Sequence, residues 1–262
     1  MKKTISYLIL SFFTLQLFTA SAQNLYIGSF YVTTTDEEKL YGDGGAMWTN
    51  RRPVICDMFK FEQPDVLGLQ SLTASQLSAI KSGISYNAAG DILYNKNTIQ
   101  LLDNGAVEDL PEGTTCTWAK LQKEEKAFYV FNICFSAETA TTAAMSIQTA
   151  TGEINAENLP CFVVGYLGVN ETHAAYSRMT SKFNDCYTKA SVVSAEFGTV
   201  NNFDLEANHG TERFDFIFTS KLGVTAKAYG QLQYGYYTKE SDGKYKRRLL
   251  STHFPIMAKV TL

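Results

Sequence analysis

The chain has 262 residues, of which 45% are hydrophobic and 19% are charged, and its formal net charge is −3. This length supports one large domain with a sizeable hydrophobic core. The acidic balance argues against a nucleic-acid partner, because proteins that grip phosphates present a broad basic face.

The first 22 residues have the pattern of a secretory signal peptide. Lysines precede an apolar run over residues 7–18, and Ala20-Ser21-Ala22 forms an A-x-A cleavage site. The run is too short to span a bilayer comfortably, and no Cys follows the cleavage site to carry a lipid. We therefore expect one domain over residues 23–262, exported to the periplasm or the extracellular space, with no stable membrane insertion after cleavage.

The expected mature chain has 21 basic and 26 acidic residues, which gives a net charge of −5. Its compact basic run, residues 244–248, is typical of the solvated edge of a hairpin. The cysteines lack C-x-x-C spacing, so no zinc site is predicted, and their odd number leaves at least one free thiol. Burial as small hydrophobes is the simpler interpretation of Cys56, Cys116, Cys134, Cys161 and Cys186.

Strand and helix patterns alternate loosely along the chain, which indicates a mixed α/β domain with several hairpins. Apolar or alternating runs predict strands over residues 25–33, 64–70, 91–94, 99–107, 115–121, 128–135, 159–167, 214–220, 224–233 and 257–262. Helical patterns cover residues 48–61, 72–80, 139–151 and 174–183. Pro53 favours a start of the first helix at Arg52 or Pro53.

A series of landmarks between residues 25 and 262 occurs in an order and spacing that resembles the endonuclease/exonuclease/phosphatase family, the metal-dependent phosphoester hydrolases related to DNase I. The landmarks are Trp48 with Arg52, residues 64–70, Trp118, Phe131-Asn132, Val164-Gly165, Asp185, Gly198-Thr199, residues 213–218 and residues 251–255. The resemblance implies a four-layer α-β-β-α sandwich of two mixed sheets, with the active site at one end and magnesium as the cofactor.

The positions that match the family's metal ligands carry other residues here. The family's first strand has an Asn where this chain has Tyr31, and its second strand ends Leu-Gln-Glu where this chain has Gln70 followed by Ser71. In the family that Glu holds the magnesium ion, and serine is a feeble substitute for a carboxylate. The alternative role for Ser71 is the N-cap of the helix predicted over residues 72–80.

The strand over residues 128–135 resembles the family's Asn-Thr-His segment. Asn132 is retained, but Ile133 and Cys134 replace the Thr and the phosphate-binding His. Cys134 is a conceivable nucleophile. No basic residue lies beside it in sequence, however, and a buried thiol is inert, so burial is the favoured interpretation.

The strand over residues 159–167 resembles the family segment that ends Gly-Asp-x-Asn. In the family the Asp orients or deprotonates the attacking water and the Asn holds the phosphate side. Here Tyr166 and Gly168 occupy those positions. A phenol, with an ordinary pKa of about 10, does not replace a carboxylate at neutral pH.

Asp215 and His253 match an Asp–His pair of the family, in which the carboxylate fixes the imidazole tautomer. Thr252 replaces the family's Asp before the His. We expect Asp215 and His253 to be hydrogen-bonded, a contact that would also brace two strands. His173 and His209 lie in polar, loop-like stretches without ligand spacing.

These departures lead to a first hypothesis, in which the chain is a secreted, catalytically inactive relative of the family that acts by binding and needs no metal cofactor. Its partner would be a small molecule, a glycan or a protein. Tyr31 and Tyr166 would either line the former active-site cleft or fill it.

A second hypothesis is a metal-dependent phosphodiesterase or phosphatase with a rebuilt site. It would use His253 and Asp215 together with a carboxylate from the loop after the first strand. The candidates in that loop are Asp36, Glu37 and Asp43.

Overall fold

The computed structural model describes residues 22–41, 46–205 and 210–262. They form two β-sheets that pack face to face, with helices on both outer surfaces. The predicted four-layer α-β-β-α sandwich is therefore confirmed. Residues 1–21 of the predicted signal peptide, Asp43 and His209 lie outside the described residues.

The first sheet contains β1 (Asn24–Tyr31), β2 (Val66–Gln70), β3 (Asn87–Ala89), β4 (Ile92–Tyr94), β10 (Val192–Ser194), β12 (Thr225–Gln231) and β15 (Ile256–Thr261). Its strand order is β10-β12-β15-β1-β2-β4-β3.

The second sheet contains β5 (Gln100–Ala106), β6 (Thr115–Lys123), β7 (Lys126–Cys134), β8 (Cys161–Tyr166), β9 (Phe183–Asp185) and β11 (Asp215–Ser220), in the order β5-β6-β7-β8-β11-β9. A separate ribbon pairs β13 (Gly235–Lys239) with β14 (Tyr245–Leu249), which confirms a hairpin at the basic run.

Each outer surface is covered by a pair of helices. The first sheet packs against α1 (Trp48–Glu62) and α2 (Ala74–Ile84), and the second against α3 (Ala140–Ile154) and α4 (Ala174–Lys182). A one-turn helix, α5 (Cys186–Lys189), follows β9. All five cysteines are free. Burial is confirmed for Cys56, Cys116, Cys161 and Cys186, whereas Cys134, at the end of β7, is only partly buried. Within the described ranges no helix is long and apolar enough to cross a membrane.

The start of α1 differs from the sequence prediction. The helix begins at Trp48, so the expected start at Arg52 or Pro53 is wrong, and Pro53 lies inside it. Pro53 is the sixth residue of this helix and lacks the backbone N–H that would otherwise donate to the Thr49 carbonyl. With this phase Arg51 faces the sheet and is fully buried, whereas Arg52 is exposed.

The cap of α2 also differs. Thr73 is its N-cap: the Gln76 backbone N–H donates to Thr73 Oγ1 at 3.2 Å, and the Thr73 N–H donates to Gln76 Oε1 at 2.8 Å. This reciprocal pair is a capping box. Ser71 has a left-handed backbone with φ +47°, and it follows β2 instead of beginning the helix. The predicted capping role of Ser71 is therefore wrong.

The two sheets approach closely next to the end of β2. A Cβ atom on Gly68 would lie 2.5 Å from Asn132 Oδ1 and 2.6 Å from Val164 Cγ2, so a side chain at Gly68 would push the sheets apart. The strand pairing also places the residues at the ends of neighbouring strands next to each other. Parallel β1 and β2 pair Tyr31 with Gln70, and antiparallel β8 and β11 pair Tyr166 with Asp215.

Buried Arg51 joins several elements at this end of the sandwich. Its Nη2 donates to Glu38 Oε2 at 2.6 Å, and both groups are almost inaccessible to solvent. The remaining guanidinium hydrogen bonds, of 2.7–3.0 Å, go to the backbone carbonyls of Ala46, Val32, Leu250 and Thr33. One side chain thus connects α1, the end of β1, the loop after it and the segment before β15.

We expect Arg51→Lys to lower the free energy of unfolding by about 3–5 kcal/mol, because an ammonium cannot reach every acceptor and leaves Glu38 poorly paired in the interior. Urea denaturation provides the measurement. The matched control is Arg52→Lys at the exposed neighbouring position, which should change stability by less than about 0.5 kcal/mol. Equal effects of the two substitutions would contradict the role given to Arg51.

Candidate functional site

The predicted site residues converge at the end of the sandwich where β1, β2, β7 and β8 finish. Tyr31 ends β1, Ser71 follows β2, Cys134 ends β7 and Tyr166 ends β8. His253 lies shortly before β15 and forms an isolated antiparallel bridge with Val200. The structure therefore brings side chains from both sheets into one cluster, as the family resemblance implied.

Asp215 and His253 are hydrogen-bonded neighbours. His253 Nδ1 lies 2.8 Å from Asp215 Oδ2, and both side chains are buried. Thr199 Oγ1 accepts from the backbone N–H groups of Phe214 and Asp215, which fixes the start of β11. Asp215 Oδ1 is buried without a hydrogen-bond partner in the described part of the chain. The expected contact is present, and its geometry suits both a tautomer-fixing and a bracing role.

Two tyrosine rings cover the imidazole of His253. The Tyr31 ring stacks on it with centroids 4.0 Å apart, and the Tyr166 ring meets it edge-on at 5.2 Å. Only 6% of His253 is exposed as a result. Burial raises the pKa of Tyr166 to about 12 and the pKa of Tyr31 still further, so both phenols are neutral at physiological pH. Tyr166 therefore does not supply the negative charge of the family's Asp, and Tyr31 is as neutral as the family's Asn.

Glu37 is a second carboxylate at this cluster, besides Asp215. Tyr31 Oη donates to Glu37 Oε1 at 3.2 Å, and Ser71 Oγ donates to Glu37 Oε2 at 2.9 Å. Glu37 begins a short 3-10 helix, Glu37–Tyr41, and its backbone N–H donates to Thr34 Oγ1. The next residue, Glu38, is held by Arg51. The loop after β1 is thus anchored in a way that points Glu37 toward Ser71.

The surroundings of Cys134 and Asn132 indicate that both residues support the fold. Burial raises the pKa of the Cys134 thiol to about 12, so little of the reactive thiolate is present at neutral pH. Asn132 lies between the sheets, where Gln70 Nε2 donates to its Oδ1 at 2.6 Å and its Nδ2 donates to the Leu69 carbonyl at 2.8 Å. Both observations favour roles in packing over roles in catalysis.

Gly168 and Thr252 also have structural roles, in a turn and in a buried hydroxyl contact. Gly168 has φ +72°, and a Cβ atom there would lie 2.9 Å from the Phe135 carbonyl oxygen, so the turn itself favours glycine. The Thr252 hydroxyl lies 2.7 Å from the hydroxyl of Thr33, and both residues are buried. Neither position offers a carboxylate or amide to the cluster.

The sequence did not reveal the surroundings of two further polar residues. Asp91, which follows the left-handed Gly90, accepts a hydrogen bond from the Thr117 hydroxyl, and burial raises the pKa of its carboxyl. A lone Asp before a short apolar run gave no signal of this burial. His173 is the N-cap of α4, because its Nδ1 accepts from the Ala175 N–H at 3.2 Å. The prediction had placed it in a solvated loop.

The donor set at this cluster does not fit a magnesium ion. Magnesium requires near-octahedral oxygen coordination, usually with one or two free carboxylates. Glu37 is the carboxylate beside Ser71, and both of its oxygens already accept hydrogen bonds from Tyr31 or Ser71. Across the described ranges, no group of three or more His, Cys, Asp or Glu side chains is arranged to hold a metal.

We expect Asp215→Ala to lower the free energy of unfolding by about 1–3 kcal/mol, because it leaves the buried His253 Nδ1 without a partner. Thermal or urea denaturation provides the measurement. Asp57→Ala serves as the control, since Asp57 forms only a surface ion pair with Lys60 and should contribute little. An Asp215→Ala protein as stable as wild type would show that the buried hydrogen bond contributes nothing.

Comparisons with known proteins agree with this architecture. No protein-family model matches the chain, and no curated protein matches it significantly. Among solved structures, an endonuclease/exonuclease/phosphatase family protein from Bacteroides thetaiotaomicron is 24% identical with a TM-score of 0.84, covering 92% of this chain and 98% of that one. A mannosyl-6-phosphatase from the same organism is 24% identical with a TM-score of 0.82, covering 91% of this chain and 100% of that one.

The human Nocturnin catalytic domain is a more distant structural neighbour. It is 13% identical with a TM-score of 0.67, and the match covers 92% of this chain and 96% of that one. Identities this low establish the fold and leave activity open. The resemblance seen in the sequence is confirmed at that level: this chain has the DNase I-like fold of the endonuclease/exonuclease/phosphatase proteins.

Proposed function

We propose that this chain is an exported binding protein that keeps the DNase I-like fold but has lost metal-dependent phosphoester hydrolysis. The observation that carries the proposal is the cover over His253. Its imidazole is stacked under Tyr31 and bordered by Tyr166, and only 6% of the residue is exposed. A phosphoryl oxygen would have to displace a tyrosine ring before it could reach that histidine.

The charges at the cluster favour a neutral ligand over a phosphate. The Tyr31 and Ser71 side chains donate hydrogen bonds to the Glu37 carboxylate, and His253 pairs with the Asp215 carboxylate, so the charge that these contacts bring to the cluster is negative. Phosphate recognition relies on cationic donors. Aromatic rings with hydroxyl groups instead suit a hydroxyl-rich molecule, because the rings provide stacking and the phenol and serine hydroxyls provide hydrogen bonds. A neutral saccharide is the ligand class that we assign.

A hydrolase with a rebuilt site is the second candidate. It is favoured by the position of Glu37, whose carboxylate meets Ser71, and by the mannosyl-6-phosphatase among the structural neighbours. Such an enzyme would combine Glu37 with Asp215 and His253. Asp36 is less suitable, because it is exposed and forms an ion pair with Lys39.

Phosphoester hydrolysis separates the two candidates. The protein is incubated with 4-nitrophenyl phosphate, bis(4-nitrophenyl) phosphate and mannose 6-phosphate, each with magnesium or manganese. We expect no turnover above that of a His253→Ala variant. Turnover by wild type that disappears in His253→Ala and with a chelator would refute the binding proposal and support the rebuilt enzyme.

Saccharide binding provides the positive arm of the same test. Neutral mono- and disaccharides are titrated while resonances of residues at the cluster are followed by NMR. We expect a saturable response that Tyr166→Ala weakens by about tenfold or more, or about 1.4 kcal/mol. The control is Tyr245→Ala, which removes a largely exposed tyrosine from the β13–β14 ribbon.

A further inference from the structure

A cavity of about 290 Å³ lies at the opposite end of the second sheet from Tyr166 and His253. Strand β8 begins at Cys161 in the cavity wall and ends at Tyr166, and antiparallel β11 runs from Asp215 back to Ser220 in the same wall. Five residue steps of extended strand separate the two ends, which is about 17 Å. The cavity is therefore distinct from the tyrosine-covered cluster.

The cavity wall carries positive charge and no negative charge. Lys182 and Lys221 line it, and no Asp or Glu does. Its remaining polar groups are neutral side chains, namely Thr151, Asn155, Asn158 and Ser220. The formal net charge of the chain is −3, so carboxylates outnumber basic groups overall. A cavity lined by two lysines and by no carboxylate is unusual in such a chain.

Lys182 is held in place by uncharged acceptors alone. Its Nζ donates to the Gln148 carbonyl and, at 3.0 Å, to Thr151 Oγ1, and it lies 5.8 Å from the centre of the Phe183 ring. Burial lowers the pKa of Lys182. The residue is nevertheless exposed, and within the described ranges it forms no ion pair.

Lys221 has a similar contact on the other side of the cavity. Its Nζ donates to the Ser181 carbonyl at 2.7 Å, and it too lacks a carboxylate partner in the described part of the chain. The C-terminal ends of α3 and α4 lie here, and helix C-termini favour cations. A helix end carries only about half an elementary charge, however, and that effect fades beyond the last turn. The partial negative charges of the two helix ends together offset about one of the two positive charges of Lys182 and Lys221.

We propose that this cavity binds a small organic acid, with its carboxylate or phosphate between Lys182 and Lys221 and its hydroxyl groups toward Asn158 and Ser220. The volume is at the lower end of the range for small-molecule sites, which limits the occupant to one small ligand. Lysine ammonium groups bind both oxyanions as point charges. The inference is independent of the proposed saccharide site, because the two sites share no residue.

NMR titration of the protein with gluconate, inorganic phosphate and glucose tests the proposal. Glucose matches gluconate in size and hydroxyl content but lacks the charge. We expect at least one of the two anions to shift resonances of residues 151–161 and 220–222 saturably, and glucose to leave them unchanged. A response to gluconate alone would identify a carboxylate ligand, and a response to phosphate alone would identify a phosphate ligand.

Substitutions locate the response. Lys182→Met combined with Lys221→Met should weaken anion binding by at least about tenfold, or about 1.4 kcal/mol. Lys81→Met, which removes a lysine from the last turn of α2, should leave it unchanged. Lys221→Met alone replaces an exposed residue in a turn. This single variant should also weaken anion binding, and it takes the place of the double variant if that protein does not fold. No saturable shift with either anion, an equal response to glucose, or binding that survives loss of the lysines would each overturn the proposal.

Discussion

The ion pair between Arg51 and Glu38 is the interaction on which the geometry of the cluster depends. It is buried, and the same guanidinium donates to backbone carbonyls from α1's entry, from the end of β1 and from the segment before β15. Those segments carry Tyr31, Glu37 and His253. A buried pair of this kind contributes little net stability relative to apolar packing, but it fixes one arrangement, because breaking it strands a charge in the interior.

A consequence of this anchoring is that Glu37 occupies a defined place. Since Glu38 is turned inward to Arg51, its neighbour in the 3-10 helix is presented to Tyr31 and Ser71. The cluster thus holds a carboxylate engaged by two hydroxyls, an Asp–His pair braced across strands, and two aromatic rings that cover the imidazole. Hydrogen bonds satisfy most of these groups within the chain, which suits recognition by stacking and hydroxyl contacts better than activation of water.

Much of this arrangement could be predicted from the sequence, partly from periodicity and partly from the family resemblance. Apolar runs predict β2 and β8, and the resemblance to the family implies that Tyr31, Ser71 and Tyr166 lie at one end of the sandwich. The contact of Asp215 with His253 followed from the resemblance to a family with a paired Asp and His. These inferences rest on periodicity and order, which survive when individual site residues change.

Other features depended on geometry that a local pattern does not contain. Arg51 was overlooked because the family landmark was placed on its neighbour Arg52, and successive helical residues point about 100° apart, so only the phase of α1 shows which of the two arginines is buried. Ser71 looked like a cap, yet its left-handed backbone leaves that role to Thr73. The approach of Glu37 and the burial of Asp91 depend on loop paths, which tertiary contacts decide.

The central claim is that this cluster has exchanged metal chemistry for aromatic recognition. Electron paramagnetic resonance of free manganese tests it most directly, because the aqueous ion loses its six-line signal when a protein binds it. At millimolar manganese and comparable protein concentration, the account predicts that the free-ion signal stays at its protein-free intensity. Loss of about one equivalent of signal, reversed by magnesium and absent in Glu37→Gln, would contradict the account and establish a metal site at Glu37.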